Sequence, residues 1–440
     1  MSSDKALKKN IGFFAALSLV MGSVIGAGVF FKVSSVTEVT GSTSMAMLVW
    51  FLGGLITICA GLTGAELAAA IPETGGLTKY IEYTYGNFWG FLSGWAQGFI
   101  YFPANVAALA IIFGTQIINL FHLNIIYLVP IAVMSALTLL LINLLGSKAG
   151  GLLQSITLVI KLIPIAMIVL FGFFQSSEVS FSLFPVVNGT SSGWFEAIGS
   201  GLLATMFAYD GWIHVGNIAG EMKNPKKDLP GAIALGIGLI MVVYLLINAT
   251  FLMTLPIEHI VGNLNAASDA SSILFGASGG KIITIGILIS VYGTMNGYTM
   301  TGMRIPYAMA QIDQLPFKRA FLSLTPSDTP WLGGVIQLVI ATIMMLLGAF
   351  DTITNMLIFV IWTFYCMAFL AVILLRKREP ELQRPYRVPL YPVIPIIALA
   401  AGVFVLINTL ITQPVLAIIG IVVTLAGIPI YYYKKAQVKS

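Results

Sequence analysis

The chain has 440 residues, of which 58% are hydrophobic and 9% charged, against about a quarter charged in an ordinary soluble domain. That composition excludes a water-soluble protein and implies helices in a membrane, because uncharged apolar runs recur at the roughly 20 residues that cross a hydrocarbon core. The net charge of +5 is accounted for by loop topology and calls for no nucleic-acid partner.

Twelve spans are predicted, beginning near Ile11, Met45, Phe88, Ile125, Gly151, Phe195, Leu229, Lys281, Trp331, Thr352, Tyr391 and Val415. The first follows a basic start, but its apolar run continues too far for a signal peptide and lacks a convincing small-residue cleavage site. It is therefore expected to be a retained helix. Its middle reads GSVIGAGVF, with glycine at positions 22, 26 and 28. Each glycine costs about 1 kcal/mol relative to alanine in a helix, at a depth where lipid makes an intact helix most valuable. Gly22 and Gly26 form a GxxxG pattern, a close-packing signal in membrane helices; a helix interruption that serves a ligand is the other reading.

The fifth span, LLQSITLVIKLIPIAMIVL, carries Lys161 near its middle. A charged side chain there is costly unless it faces water or a partner, which makes it a functional candidate; the alternative is a lysine tied to a carbonyl for rigidity or snorkelling to the interface. The sixth span reads LLATMFAYDGWIHVGNIAGEM and is interrupted at Tyr209, Asp210 and Gly211. Residues 11–175 hold five spans and residues 195–375 five more, so the second block enters the membrane from the opposite face. An odd-numbered pair of blocks is the footprint of an inverted repeat, in which interrupted helices at matching positions carry the site. Unwound backbone in mid-membrane needs partners. A zwitterion supplies them, its carboxylate meeting the free N–H groups and positive dipole end of the half-helix after the first break, its ammonium meeting carbonyls at both breaks. Asp210 either attracts that ammonium or caps the half-helix after it.

In the seventh and eighth spans Tyr244, Ser290, Tyr292 and Asn296 either line a cavity or make interhelical hydrogen bonds. Glu221, Lys223 and Lys227 read as a solvated cluster at a helix end, and Tyr431–Tyr433 as an interfacial belt. The domain layout is a cytoplasmic N-terminus (1–10), first repeat (11–175), extracellular loop (176–194), second repeat (195–375), basic cytoplasmic loop (376–390), helices 11 and 12 (391–433) and cytoplasmic tail (434–440). With the N-terminus inside, all of the 22 Lys and Arg except Lys32, Lys161 and Lys281 fall in cytoplasmic segments, as the positive-inside rule requires of a plasma-membrane protein with both termini in the cytoplasm. Cys59 and Cys366 lie inside predicted helices, and His122, His214 and His259 have no metal-ligand spacing. No metal, no cofactor and no enzymatic activity are expected.

Four segments, GSVIGAGVF, PETGGLTKYIEYTYG, FAYDGW and GEMKNPKKDLP, occur in the order seen in the L-type amino acid transporter family of the amino acid, polyamine and organocation superfamily. The chain resembles that family over nearly its whole length, and most of all its bacterial serine/threonine and alanine/serine/cysteine exchangers. The resemblance implies a five-plus-five inverted repeat like that of the leucine transporters, two extra C-terminal helices, and sodium-independent exchange of small neutral L-amino acids in a lipid bilayer. It implies that the substrate carboxylate meets N–H groups of Gly26, Ala27 and Gly28, and that the ammonium meets carbonyls of Val24, Phe207, Ala208 and Asp210. Phe207 would be the outer gate, and the Lys161 ammonium would stand where sodium-coupled relatives hold an ion. Family members from animals join a heavy subunit through a cysteine after the third helix; the loop at Phe121–Leu123 has none, so no disulfide-linked partner is expected. The runner-up activity is a proton-coupled amino acid or amine symporter. A passive channel, from a different class, would show a filter or charge rings, and neither is present.

Overall fold

The computed structural model describes residues 12–71, 75–172, 179–213 and 224–439. Among these residues every regular element is a helix. The first two are short: α1 (Phe13–Val24) and α2 (Gly28–Thr40), separated by an unwound step at residues 25–27. Glycine stops α2 as well. Gly41 turns the chain with φ of 61°, and a side chain there would collide with the Gly189 backbone of the connection laid over this end.

α3 (Thr43–Ala70) starts on the Ser42 side chain, which accepts from Met45 N–H, one of the donors a helix start leaves unpaired. A short helix, α4 (Leu77–Tyr85), precedes α5 (Asn87–Phe121), which is continuous through a wide π-turn at Gln97–Tyr101. Next come α6 (Leu128–Leu144) and α7 (Ser147–Met167), the latter running on into a second π-turn at Ile168–Gly172. α8 (Trp194–Ala208) ends where the sequence predicts the second interruption. α9 (Pro225–Thr254) takes a proline at its first turn, where the missing N–H costs nothing. α10 (Ala266–Gly302) bends at Gly276, so its long arm begins a few residues before the expected Lys281. Besides single turns at Ile257–Ile260 and Lys318–Phe321, the remainder are α11 (Arg304–Gln311), α12 (Trp331–Leu347), α13 (Phe350–Arg378), α14 (Val393–Thr412), α15 (Pro414–Leu425) and α16 (Gly427–Lys439).

Nine helices among the described residues are long and apolar enough to cross a membrane, with Trp194–Ala208 and Trp331–Leu347 as shorter apolar helices. α4 and α11 are elements the sequence reading leaves as loops. Both carry a few apolar residues on one face, too short a pattern for a span. Of the core helices, α3 and α13 are the most buried, whereas α6 and the last two helices present mostly apolar side chains outward. α9 packs along α1 and α3, α10 along α5 and α7, and α8 against α2, α3 and α14, so α2 and α8 are each packed between several neighbours. Glu221, Lys223 and His214 lie outside the described residues, as do residues 1–10 and parts of the segments 72–86 and 220–230.

Candidate functional site

The first break follows directly from its residues. α1 ends at Val24; Ile25 turns extended with φ −66° and ψ 100°, its N–H still reaching Met21 O at 2.9 Å. Gly26 and Ala27 carry no helix, and α2 begins at Gly28, so its leading N–H groups lack intrahelical acceptors. The second site of interruption begins with a helix end of the same kind. α8 stops at Ala208, Tyr209 N–H closes on Thr205 O at 3.0 Å, and Gly211 takes φ of 112°, a conformation that favours glycine.

The two breaks touch. A Cβ added to Gly28 would lie 2.5 Å from the Cα of Ala208, so only glycine lets the start of α2 seat against the end of α8. Tyr244 of α9 joins them on the other side, its hydroxyl 3.1 Å from Val24 O and 3.2 Å from Ala208 O. One hydroxyl proton thus serves two carbonyls that the resemblance assigns to the ammonium. Gly22 has a different role from Gly28: its added Cβ would meet only the flexible end of Leu158, at 3.3 Å.

Lys161 of α7 reaches the same place. Its side chain is 3% exposed, and its ammonium donates to Gly22 O at 2.9 Å and Ile25 O at 2.6 Å. These carbonyls are released by the break, and charge-assisted bonds to them offset the desolvation of a buried ammonium. Beside it is a cavity of about 320 Å³ on the α1 side of the break, walled by Ser18 and Gly22, by Gln154, Leu158 and Lys161, and by Thr294, Gly297, Tyr298 and Thr301 of α10.

Of the polar residues singled out on α9 and α10, none lines this cavity. Tyr292 pairs with the Thr138 hydroxyl at 2.9 Å. Asn296 is buried among Asn143, Gly150 and Gln154, accepting from the Asn143 amide and donating to Gly150 O and the Gln154 side chain. Ser290 is buried one turn away from Thr294. The cavity face of α10 is the 294–297–298–301 stripe, rotated from Tyr292 and Asn296 by the 3.6-residue period. Tyr244, Tyr292 and Asn296 each hydrogen-bond to neighbouring helices.

Asp210 is 3% exposed. One of its oxygens accepts from the Tyr101 hydroxyl and the other from Tyr365 at 3.1 Å. Tyr101 closes the π-turn of α5 and Tyr365 lies on α13, so the second break is pinned to two further helices. Sequence reasoning missed both tyrosines, since partners 109 and 155 residues away leave no local pattern. It also missed Glu66, a carboxylate inside α3 that receives Arg376 Nε and Nη2 at 2.8 and 2.6 Å and Val388 N–H at 2.7 Å. An isolated charge in an apolar span is the signal that could have found it.

The Phe207 ring packs edge-to-face on Phe350 with centroids 5.8 Å apart, on the α2 side of the breaks, away from the cavity. The described arrangement can therefore offer the leading N–H groups of α2, and carbonyls at two helix ends that now share the Tyr244 hydroxyl, to one small polar molecule, with an aromatic pair on one side and a cavity on the other.

Comparison with known proteins agrees with this architecture. The family model for amino acid permeases matches residues 11–431. The serine/threonine exchanger SteT of Bacillus subtilis (strain 168) is 43% identical over 438 residues, covering 99% of both chains. The mouse Asc-type amino acid transporter 1 is 29% identical over 98% of this chain and 82% of its own length. The human large neutral amino acids transporter small subunit 2 is 29% identical over 97% of this chain and 80% of its own length.

Proposed function

The chain belongs to the amino acid permease family, and from that premise we propose that it is a sodium-independent antiporter exchanging small neutral L-amino acids, of the serine, threonine, alanine and cysteine class, by alternating access. The observation that carries the reading is the contact between the two breaks, where a Cβ on Gly28 would lie 2.5 Å from Ala208 Cα. In that arrangement the substrate carboxylate meets the N–H groups of Gly26, Ala27 and Gly28 at the positive end of α2. The ammonium meets the carbonyls of Val24, Phe207, Ala208 and Asp210, displacing or sharing the Tyr244 hydroxyl. Lys161 supplies a fixed cation at the first break, so that no sodium ion is needed to neutralise its carbonyls.

The reading includes twelve spans, with the five of residues 11–175 repeated in inverted orientation by those of residues 195–375. It sets both termini in the cytoplasm and the protein in the plasma membrane, so the cavity beside Lys161 opens inward and Phe207 lies on the outer side as the gate. The similarity to a serine/threonine exchanger supports the substrate class. No disulfide-linked subunit belongs to this reading, since the loop at Phe121–Leu123 contains no cysteine.

The test is counterflow in sodium-free proteoliposomes. Preloaded serine or alanine should accelerate uptake of labelled serine several-fold over empty vesicles. Uptake that ignores internal substrate but follows an imposed pH gradient would replace exchange with proton symport.

A further inference from the structure

One buried charge has no part in the substrate site described above. Lys32 lies one turn into α2, four residues after Gly28, and is 0% exposed. Its ammonium donates to Asp351 Oδ1 at 2.7 Å and to Thr354 Oγ1 at 2.6 Å, both in the first turns of α13. It also sits 4.8 Å from the ring centroid of Phe350 and 5.4 Å from that of Phe207. Ser35, on the same face of α2, donates its hydroxyl to the same Asp351 oxygen. The Asp351 side chain is 39% exposed, so the pair has a dry end and a wet end.

An ammonium carries three donors and no acceptor, and burying it is costly unless charge and hydrogen bonds compensate. Here the compensation comes from α13 through Asp351 and Thr354, and from the aromatic faces of Phe350 and Phe207, whose attraction for a cation grows when water is absent. No compensating group except Ser35, acting through Asp351, belongs to α2. The lysine is therefore satisfied in the dry state only while α2, α8 and α13 are together. If α2 and α13 part, both charged groups reach water and are hydrated, which makes the contact reversible. An apolar residue at the same position would bind the three helices without that offset.

We infer that Lys32 is a positioning residue of the outer gate: its ammonium ties Asp351 and Thr354 of α13 to the Phe207 ring of α8, so the gate shuts as the Lys32–Asp351 pair forms and opens as the pair is hydrated. The inference rests on the antiporter reading for its place in a transport cycle.

The test uses the full chain in liposomes with Cys59 and Cys366 replaced by serine. Spin labels are attached at Glu38→Cys and Thr352→Cys, which are exposed positions on α2 and α13. Pulsed dipolar distances then report the separation of the two helices, and serine exchange is measured in parallel. Asp351→Asn strands a cation at the dry end and should raise the long-distance fraction relative to the short one by about tenfold or more. Lys32→Met should do the opposite, deepening the short-distance state and slowing exchange by about tenfold, because methionine gains nothing from water on opening. Shifts in the same direction, or an unchanged distribution in both, overturn the inference. If Asp351→Asn does not fold, the double variant Lys32→Met/Asp351→Asn carries no stranded charge and should reproduce the Lys32→Met distribution; a raised long-distance fraction there is the overturning result. The distances need no substrate, so absent serine counterflow in the unmodified protein would sink the antiporter reading while the distance shifts still judged the gate.

Discussion

Truncation of Lys161 to alanine separates the work of moving α1 from the work of holding a substrate. The ammonium supplies two charge-assisted hydrogen bonds, to Gly22 O at 2.9 Å and Ile25 O at 2.6 Å. Bonds to charged groups contribute about 1.5–3 kcal/mol each, and part of that sum is offset because the truncation also removes a buried charge. Water entering from the neighbouring cavity replaces some of the rest. The lower figure for a single bond, about 1.5 kcal/mol, is then a conservative net loss, and it loosens the docking of α1 on α7 about tenfold. The peptide groups assigned to the substrate, at Val24, from Gly26 to Gly28 and from Phe207 to Asp210, accept no bond from Lys161. Serine counterflow should therefore fall about tenfold or more, while equilibrium affinity for serine, measured by calorimetry, changes less than about threefold. Exchange at the unmodified rate would refute the coupling argument, and so would affinity lost in the same proportion as rate.

Four other substitutions probe the site and its support. Gly28→Ala forces a Cβ to within 2.5 Å of Ala208 Cα, where only backbone can move; overpacking of this kind costs about 1–3 kcal/mol, and serine affinity should drop about tenfold. Gly22→Ala meets only the flexible end of Leu158 at 3.3 Å and should be much milder in the same calorimetric titration; equal losses would contradict the distinction between a packing glycine and a site glycine. Tyr244→Phe keeps the ring contacts with Trp50 and Tyr209 but frees the carbonyls of Val24 and Ala208. Serine should bind more tightly by up to about tenfold if those carbonyls take the ammonium, and weaker binding would argue that they do not. Glu66→Gln leaves Arg376 and Arg384 without their carboxylate in a setting where Glu66 is 2% exposed. Breaking a buried pair on one side costs about 3–5 kcal/mol, so the melting temperature in detergent should fall by several degrees, and an unchanged value would show the cluster to be well hydrated.

The legible parts of this protein are those that depend on neighbours in sequence. The runs predicted to start near Trp331 and Val415 begin their helices at Trp331 and Pro414, because an apolar run between polar or proline punctuation suffices to set such boundaries. Both breaks could be seen for the same reason, as glycine clusters and a Tyr-Asp-Gly step in otherwise apolar helices. Lys161 stood out because a charge in a span is rare. The cavity wall did not. Ser290, Tyr292 and Asn296 lie within seven residues on α10, yet which of its faces borders the cavity depends on how α10 is rotated against α5 and α7, a matter of packing that composition leaves open.

The amino-acid sequence alone determined that the chain lives in a membrane, where its helices run and where two of them give way, since each follows from hydropathy and backbone propensity within a window of some twenty residues. Only the tertiary structure decided that the two gaps meet at Gly28 and Ala208, that Tyr244 bridges them, that Asp210 is held by Tyr101 and Tyr365, and that Lys32 has Asp351 as its counter-charge. Those pairings join residues from 36 to 319 positions apart, and a pairing at that range is selected by the close packing of whole helices and the cost of leaving a buried polar group alone, neither of which any local stretch records.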